Sequence, residues 1–337
     1  MSALLVRDCG GSTSLQDFGR FHWQRHGVSP SGAMDRYSLA LANALVSNVA
    51  GGAAIEFAVF GGSFVVEGGP VRVALAGAVA TLKVDGMSVP PLTSVTAHDG
   101  QVITVDPART GVFAYLAIEG GPDVAPMLGS RSLHLRSALG GLNGRLLRPG
   151  DKLPLNRVAE PRPERRITRL PATEMQPFRV MLGPQDDLFS QAGIETFLSG
   201  TYKVSAEADR MGYRLTGPKI EHKDGYNIVS DGIVTGAIQV PGAGEPIVLL
   251  ADRQTTGGYP KIAAIISADL ARFTQSRPGA EVRFAAVDRA AALAGLRARE
   301  AELSALIESI RPADEGGLGS ERLLSLNLVD GWLDAKG

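Results

Sequence analysis

The stretch Arg148-Pro149-Gly150-Asp151-Lys152-Leu153 has a near twin in Arg277-Pro278-Gly279-Ala280-Glu281-Val282. Each copy ends a series of short strand-like segments and reads as a turn into a last strand. Six residues make a weak repeat alone. The order of elements around them also matches, which points to two related barrel-like units in tandem.

Upstream of the first copy, Ala3–Arg7, Ala54–Val59, Ser63–Val66, Val71–Val84, Thr93–Thr96, Gln101–Val105 and Val112–Ile118 read as strands. Glycine-rich turn signals such as Gly61-Gly62, Asp85-Gly86 and Asp99-Gly100 bound them. A helix interrupts the series: Asp35 can cap its first turn, and Leu41, Leu45 and Val49 recur on one face. Upstream of the second copy, Phe178–Leu182, Tyr202–Ala206, Gly236–Val240, Ile247–Leu250 and Ala263–Ile266 read as strands and Leu188–Leu198 as a helix.

Between the two series, Pro161, Pro163, Pro171 and Pro177 stand among five arginines. Prolines at that density block helices and withhold ladder donors, so the segment reads as a semi-rigid linker with a solvated charged face. After the second copy, Leu293, Leu296, Leu303, Ile307 and Ile310 mark a long helix over Ala285–Arg311, stopped by Pro312. It packs on its own unit or offers a coiled-coil contact. The expectation is mainly β: a barrel at 1–156, a linker at 157–177, a second barrel at 178–311 ending in the helix, and a tail at 312–337.

Composition narrows the function. With 34 Lys+Arg against 35 Asp+Glu the net charge is -1, which removes the electrostatic case for a nucleic-acid partner. The longest uncharged apolar run, Val73–Leu82, is about half the ~20 residues a membrane helix needs, so no membrane is expected. A single cysteine, Cys9, cannot form an internal disulfide, which suits a reducing cytoplasm. No CxxC or HExxH spacing occurs, so no metal site is expected.

Three clusters could carry chemistry. In Asp252-Arg253-Gln254-Thr255-Thr256-Gly257-Gly258-Tyr259-Pro260-Lys261 a polar loop presents an amide, two hydroxyls, a phenol and an ammonium. Such a loop can orient a planar amide, and its glycine N–H groups could face an oxyanion; an ordinary β-turn would use the same residues. In Asp209-Arg210-Met211-Gly212-Tyr213-Arg214, strand alternation puts Arg210 and Arg214 on one face, suited to a carboxylate or to surface salt bridges. The third, Gly27-Val28-Ser29-Pro30-Ser31-Gly32-Ala33-Met34-Asp35, suits an anion at a helix start or a plain helix cap.

Together these three motifs, with Gly236-Ala237-Ile238-Gln239-Val240-Pro241, resemble the allophanate hydrolase subunit 2 family, over about residues 3–285. That family includes the C subunit of 5-oxoprolinase, KipA-type proteins and one half of the biotin-dependent carboxyltransferase domain of urea carboxylase. The resemblance implies two tandem cyclophilin-like β-barrel domains. It also implies a subunit 1-type, KipI-like partner and, in the three-subunit arrangement, a lactam-utilisation-type chain. The substrate would be a small amide or ureido compound. The chain carries no Met-Lys-Met biotin-attachment sequence and no recognisable ATP-binding domain. No cofactor is therefore expected on this chain; the complex would use ATP, with carboxybiotin if the relative is of the urea carboxylase type.

By resemblance and chemistry, Arg210, Gln239, Gln254, Thr255 and Thr256 would act on the amide. Tyr213, Arg214, Tyr259, Lys261, Ser29 and Ser31 would bind the substrate. The reading is a 5-oxoprolinase or carboxyltransferase subunit, inactive alone. The alternative is a non-catalytic KipA-type regulator that antagonises a kinase inhibitor. Prolyl isomerisation would rest on the fold alone.

Overall fold

A computed structural model describes residues 2–169 and 177–313; the expected tail beyond Ala313 and part of the expected linker lie outside the described residues. In the first unit, two antiparallel sheets enclose a core. One runs in the order Lys152–Pro154, Ala3–Cys9, Gly62–Glu67, Val102–Val105, Leu82–Val84, Met87–Ser88. The other runs Ser14–Gln16, Ala54–Ala58, Thr110–Ile118, Val71–Val79, Ser94–Ala97. The apolar stretch expected as one strand over 71–84 is two. Val71–Val79 pairs with Thr110–Ile118, and the chain then crosses to the other sheet, where Leu82–Val84 pairs with Val102–Val105. Leu4, Phe57, Phe64, Val73, Ile103 and Leu153 fill the space between.

The second unit is built on an eight-stranded sheet. Its order is Glu281–Val282, Tyr202–Ala208, Gly212–Thr216, Ile247–Leu249, Ala237–Gln239, Lys261–Ile265, Phe178–Leu182, Phe284–Ala286. The two edge strands are separated in sequence by Arg283 alone. The ends of the sheet must therefore meet, which is the condition for a barrel and removes open edges.

The twin turns are equivalent in detail. Gly150 N–H donates to Val6 O at 2.8 Å and Gly279 N–H to Val204 O at 2.7 Å. Val6 N–H returns to Asp151 O at 2.8 Å and Val204 N–H to Ala280 O at 3.0 Å. Both glycines hold positive φ, 90° and 85°, a region an L side chain enters only with strain. Each turn thus docks its last strand on the first or second strand of its own unit by the same two bonds.

Among the described residues, four α-helices accompany the sheets, α1 Arg36–Leu45, α2 Gln191–Ser199, α3 Ser267–Thr274 and α4 Arg289–Glu308, and α1 of the first unit packs on α3 and α4 of the second. Asp35 caps α1 as expected, accepting from Ser38 N–H at 2.9 Å. Val49, expected on its apolar face, lies past the helix end and is exposed. Helix α3 is not legible in the sequence, because its short run follows a strand without a polar cap. Helix α4 starts later than expected, at Asp288, which caps it; its packed side is Gly295 and Leu306, and Leu293 faces solvent.

A second core runs from α1 through Tyr115 into the whole second unit, so the units share apolar packing. Gln275 staples them: its Oε1 accepts from Val112 and Phe113 N–H at 2.7 and 3.0 Å, and its Nε2 donates to Asp35 at 2.8 Å. The arginine-rich segment is not merely a solvated face. Arg165–Ile167 pairs with Ile310–Pro312, and Arg162 meets the buried Glu119 at 3.0 Å. Backbone donors that proline leaves available find a strand partner, and buried carboxylates draw the arginines inward.

Candidate functional site at the junction of the two units

Arg210 sits in the turn between the strands Tyr202–Ala208 and Gly212–Thr216, shaped by Asp209, whose carboxylate accepts the Met211 and Gly212 N–H groups at 2.7 and 3.1 Å. The alternation expected for a strand therefore does not apply at 210. The guanidinium reaches across the junction. Nε donates to Asp252 Oδ2 at 2.8 Å, Nη2 to Asp252 Oδ1 at 3.0 Å and to Gly32 O at 2.7 Å, and Nη1 pairs with Glu56. One arginine thus ties a strand of the first unit, the loop before α1 and the start of the polar loop.

The Ser-Pro-Ser loop closes the same node. Ser29 Oγ donates to Ala251 O at 3.0 Å, and Ser31 N–H to the same carbonyl at 3.1 Å. Ser31 Oγ lies between Leu133 O, at 3.0 Å, and the Asp252 carboxylate. Glu56 Oε2 accepts from Met34 N–H at 3.0 Å and from the Tyr115 hydroxyl at 2.7 Å; that hydroxyl accepts from Asp35 N–H at 2.8 Å.

Burial sets the electrostatics. It pushes the Glu56 carboxyl up, against the pull of Arg210, the Met34 amide and Tyr115. Burial alone would lower Arg210, but Asp252 and Glu56 outweigh it and hold the guanidinium firmly charged. Burial, with Glu56 and Asp35 nearby, raises the Tyr115 phenol well above its usual range, so it stays a proton donor. Next to the node, buried Arg253 is lowered to about 10 by burial and then by Arg36; its guanidinium donates to the backbone carbonyls of Ile233 and Leu250.

The polar loop splits into a buried base and an open tip. Gln254, Thr256 and Tyr259 face solvent and Thr255 is half-buried. Thr256–Gly257 pairs with Asp231–Gly232. Gln239 is buried beneath the tip, donating to Tyr259 O at 3.2 Å; a Cβ at Gly257 would come within 2.6 Å of its Nε2. The loop needs glycine there because the amide passes so close.

Three expected positions fall elsewhere. Tyr213 points into the core and donates to Thr274 O at 2.8 Å, since residues alternate across the strand and its side is the packed one. Arg214 is exposed and pairs with Glu207 at 3.0 Å, so it does not share a face with Arg210. Lys261 does not line a mouth: it is 2% exposed, its Nζ donating to Asp231 at 2.9 Å. Lys261 and Gln185 together hold that carboxylate below its ordinary range, the lysine bond being the larger cause. Sequence reading missed Glu56, Asp252 and Tyr115 as site members. The signals were Glu56 itself, a lone carboxylate inside the apolar run Ala54-Ile55-Glu56-Phe57-Ala58, and the place of Asp252 at the head of the polar loop. Among the described residues, no group of three His, Cys, Asp or Glu side chains is placed to hold a metal ion, and no helix is long and apolar enough to cross a membrane.

Residues 26–286, which include the Ser-Pro-Ser loop, the Arg210 turn and the polar loop, match the family model of the carboxyltransferase domain, subdomain A and B. The chain belongs to that family. It is similar to the C subunit of 5-oxoprolinase from Escherichia coli strain K12, 36% identical over 83% of this chain and 90% of that protein. It also resembles the urea amidolyase of Saccharomyces cerevisiae, 33% identical over 82% of this chain but 16% of that protein. The crystal structure of Kluyveromyces lactis urea carboxylase superposes with a TM-score of 0.83 at 28% identity, covering 95% of this chain and 30% of that one. This member of the family is thus a carboxyltransferase-type chain, mainly β, with the fold its sequence suggested.

Proposed function

We propose that the chain is the C-type subunit of a heteromeric, ATP-dependent 5-oxoprolinase that opens 5-oxoproline to L-glutamate with a subunit 1-type partner. The observation that carries this reading is the span of likeness: the C subunit of 5-oxoprolinase is matched along 90% of its own length, and urea amidolyase along 16%. The two units, at 1–156 and 178–311, would act as two domains framing one site. Arg210, fixed by Glu56 and Asp252, would set the position of the loop, and the open residues Gln254, Thr255, Thr256 and Tyr259 would meet the planar lactam. Gln239 would steady the tip from below, and Ser29 and Ser31 would hold the loop's base. Opening a lactam requires its amide resonance to be lost, so donors aimed at the carbonyl oxygen are the main contribution available here, about 3–4 kcal/mol each.

Co-expression with a subunit 1-type and a lactam-utilisation-type chain should give ATP- and 5-oxoproline-dependent glutamate release, and Gln254→Ala should lower it about 100-fold. An assembled complex that ignores 5-oxoproline, yet carboxylates urea when given carboxybiotin, would move the chain to the urea carboxylase side.

A further inference from the structure

A cavity of about 1020 Å³ opens between the first unit and the helices α1, α3 and α4. None of Ser31, Glu56, Arg210, Asp252 or the tip at 254–259 lines it. One wall is apolar, presented to the cavity by the exposed Val79 and the half-buried Ala80, Val89 and Leu92, on a base of the buried Leu75 and Leu82. The opposite wall is polar, and the cavity lining carries seven charged groups in all, whose partners decide what could bind.

The three carboxylates are engaged. Asp35 accepts from Ser38 N–H and Oγ and from Gln275 Nε2, at 2.9, 2.6 and 2.8 Å. Asp269 meets Arg179 at 2.5 Å and Arg272 at 3.4 Å, and Glu302 meets Arg299 at 2.7 Å. Burial would raise Asp269, but Arg179 and its backbone amide hold it low. Two of the arginines also lie over rings: Arg272 3.9 Å from the Phe178 centroid and Arg299 3.5 Å from that of Tyr37. The fourth cation, Arg109, is exposed at the edge of the apolar wall and pairs with no carboxylate among the described residues. The cavity therefore has one net positive charge beside a broad apolar surface, and its size suits a ligand larger than a single small ring.

The geometry points to a second small-molecule site here, for an amphipathic carboxylate whose apolar body lies along Leu75–Leu82 and whose anionic end meets Arg109. A carboxylate would find a ready fork in a guanidinium not committed to an acid, and the body would remove apolar wall from water. A cation of the same shape would meet Arg109 as a like charge.

Calorimetric titration of the full chain with decanoate, decylamine and decyl phosphate, each below its micelle concentration, tests this. Decanoate should bind at least tenfold more tightly than decylamine. Arg109→Glu should reverse that order. Ala298→Trp, a change at an exposed position of α4 that faces the cavity, should abolish decanoate binding while leaving the unfolding transition in place. Equal binding of decanoate and decylamine, undiminished binding by the Ala298→Trp chain, or no binding at all would overturn the proposal. Tighter binding of decyl phosphate than of decanoate would overturn the assignment to carboxylates. Glutamate release by the assembled complex does not enter this measurement, so its outcome stands apart from the function proposed above.

Discussion

Arg72, fully buried, and Arg210, partly buried, each hold two carboxylates, and they do it differently. Arg72 sits wholly within the first unit and the arginine-rich segment: Nη1 meets Glu119 at 2.6 Å, Nε meets Glu164 at 3.2 Å, and Nη2 donates to Arg162 O at 2.7 Å. Its acids have other partners. Glu119 also meets Arg162 at 3.0 Å and Arg157 at 3.5 Å, and Glu164 accepts from Ser94 and Thr96 hydroxyls at 2.5 and 2.6 Å. The acids of Arg210 have neutral donors in Met34 N–H, Tyr115 and Ser31, but no second cation forms an ion pair with Glu56 or Asp252 among the described residues. A redundant network reads as a clamp that fixes a segment. A network with a single cation, placed under an open polar tip, concentrates its consequences at one side chain.

The largest expected effect follows from that contrast. Arg210→Met should cost about 3–5 kcal/mol of stability in urea unfolding, because it strips the cation from two buried carboxylates. Arg72→Met should cost less, about 1.5–3 kcal/mol, and the assembled complex should keep its turnover. Equal losses would show that the spare arginines around Glu119 do not compensate, and the distinction between the two networks would collapse.

A third measurement sharpens the electrostatic side. Burial raises Glu56 above the ordinary carboxylate value of about 4.5. Over the interval between that value and its raised one, the folded chain keeps a proton that the unfolded chain has lost. Stability must therefore fall as pH rises through the interval. Glu56→Gln should flatten that limb of the stability profile. An unchanged slope would mean Arg210 cancels the effect of burial completely.

The smallest effects on stability belong to the open tip. Thr256→Ala and Arg214→Ala should each leave the unfolding midpoint within about 0.5 kcal/mol of the parent. Activity of the complex should separate them, falling for Thr256→Ala and holding for Arg214→Ala, whose exposed pair with Glu207 lies off the site. A drop for Arg214→Ala would return that arginine to the site.

Much of the fold is legible in the sequence because it rests on local rules. The paired Arg-Pro-Gly turns share a local signal: a residue that cannot donate is followed by one that tolerates positive φ, and at Gly150 and Gly279 both copies use it in the same way. The cap at Asp35 and the strand Phe178–Leu182 are readable for the same reason. The rules fail where a local pattern is carried past its element. Strand alternation does not reach Arg210, which sits in a turn, and helical spacing does not reach Val49, which lies beyond the last turn of α1.

The order of residues points to a mainly β chain of two barrel-like units, and its family resemblance singles out a serine-rich loop, an arginine turn and a glutamine-threonine loop as the segments to watch. Which side chains meet is settled by packing in three dimensions. Glu56 and Tyr115 come from strands of the first unit and Asp252 from the second, and no residue beside them names its partner. Local geometry is written in adjacent residues, whereas the pairing of charges across a junction depends on how two separately closed sheets pack, a sum over many weak contacts that no short stretch contains.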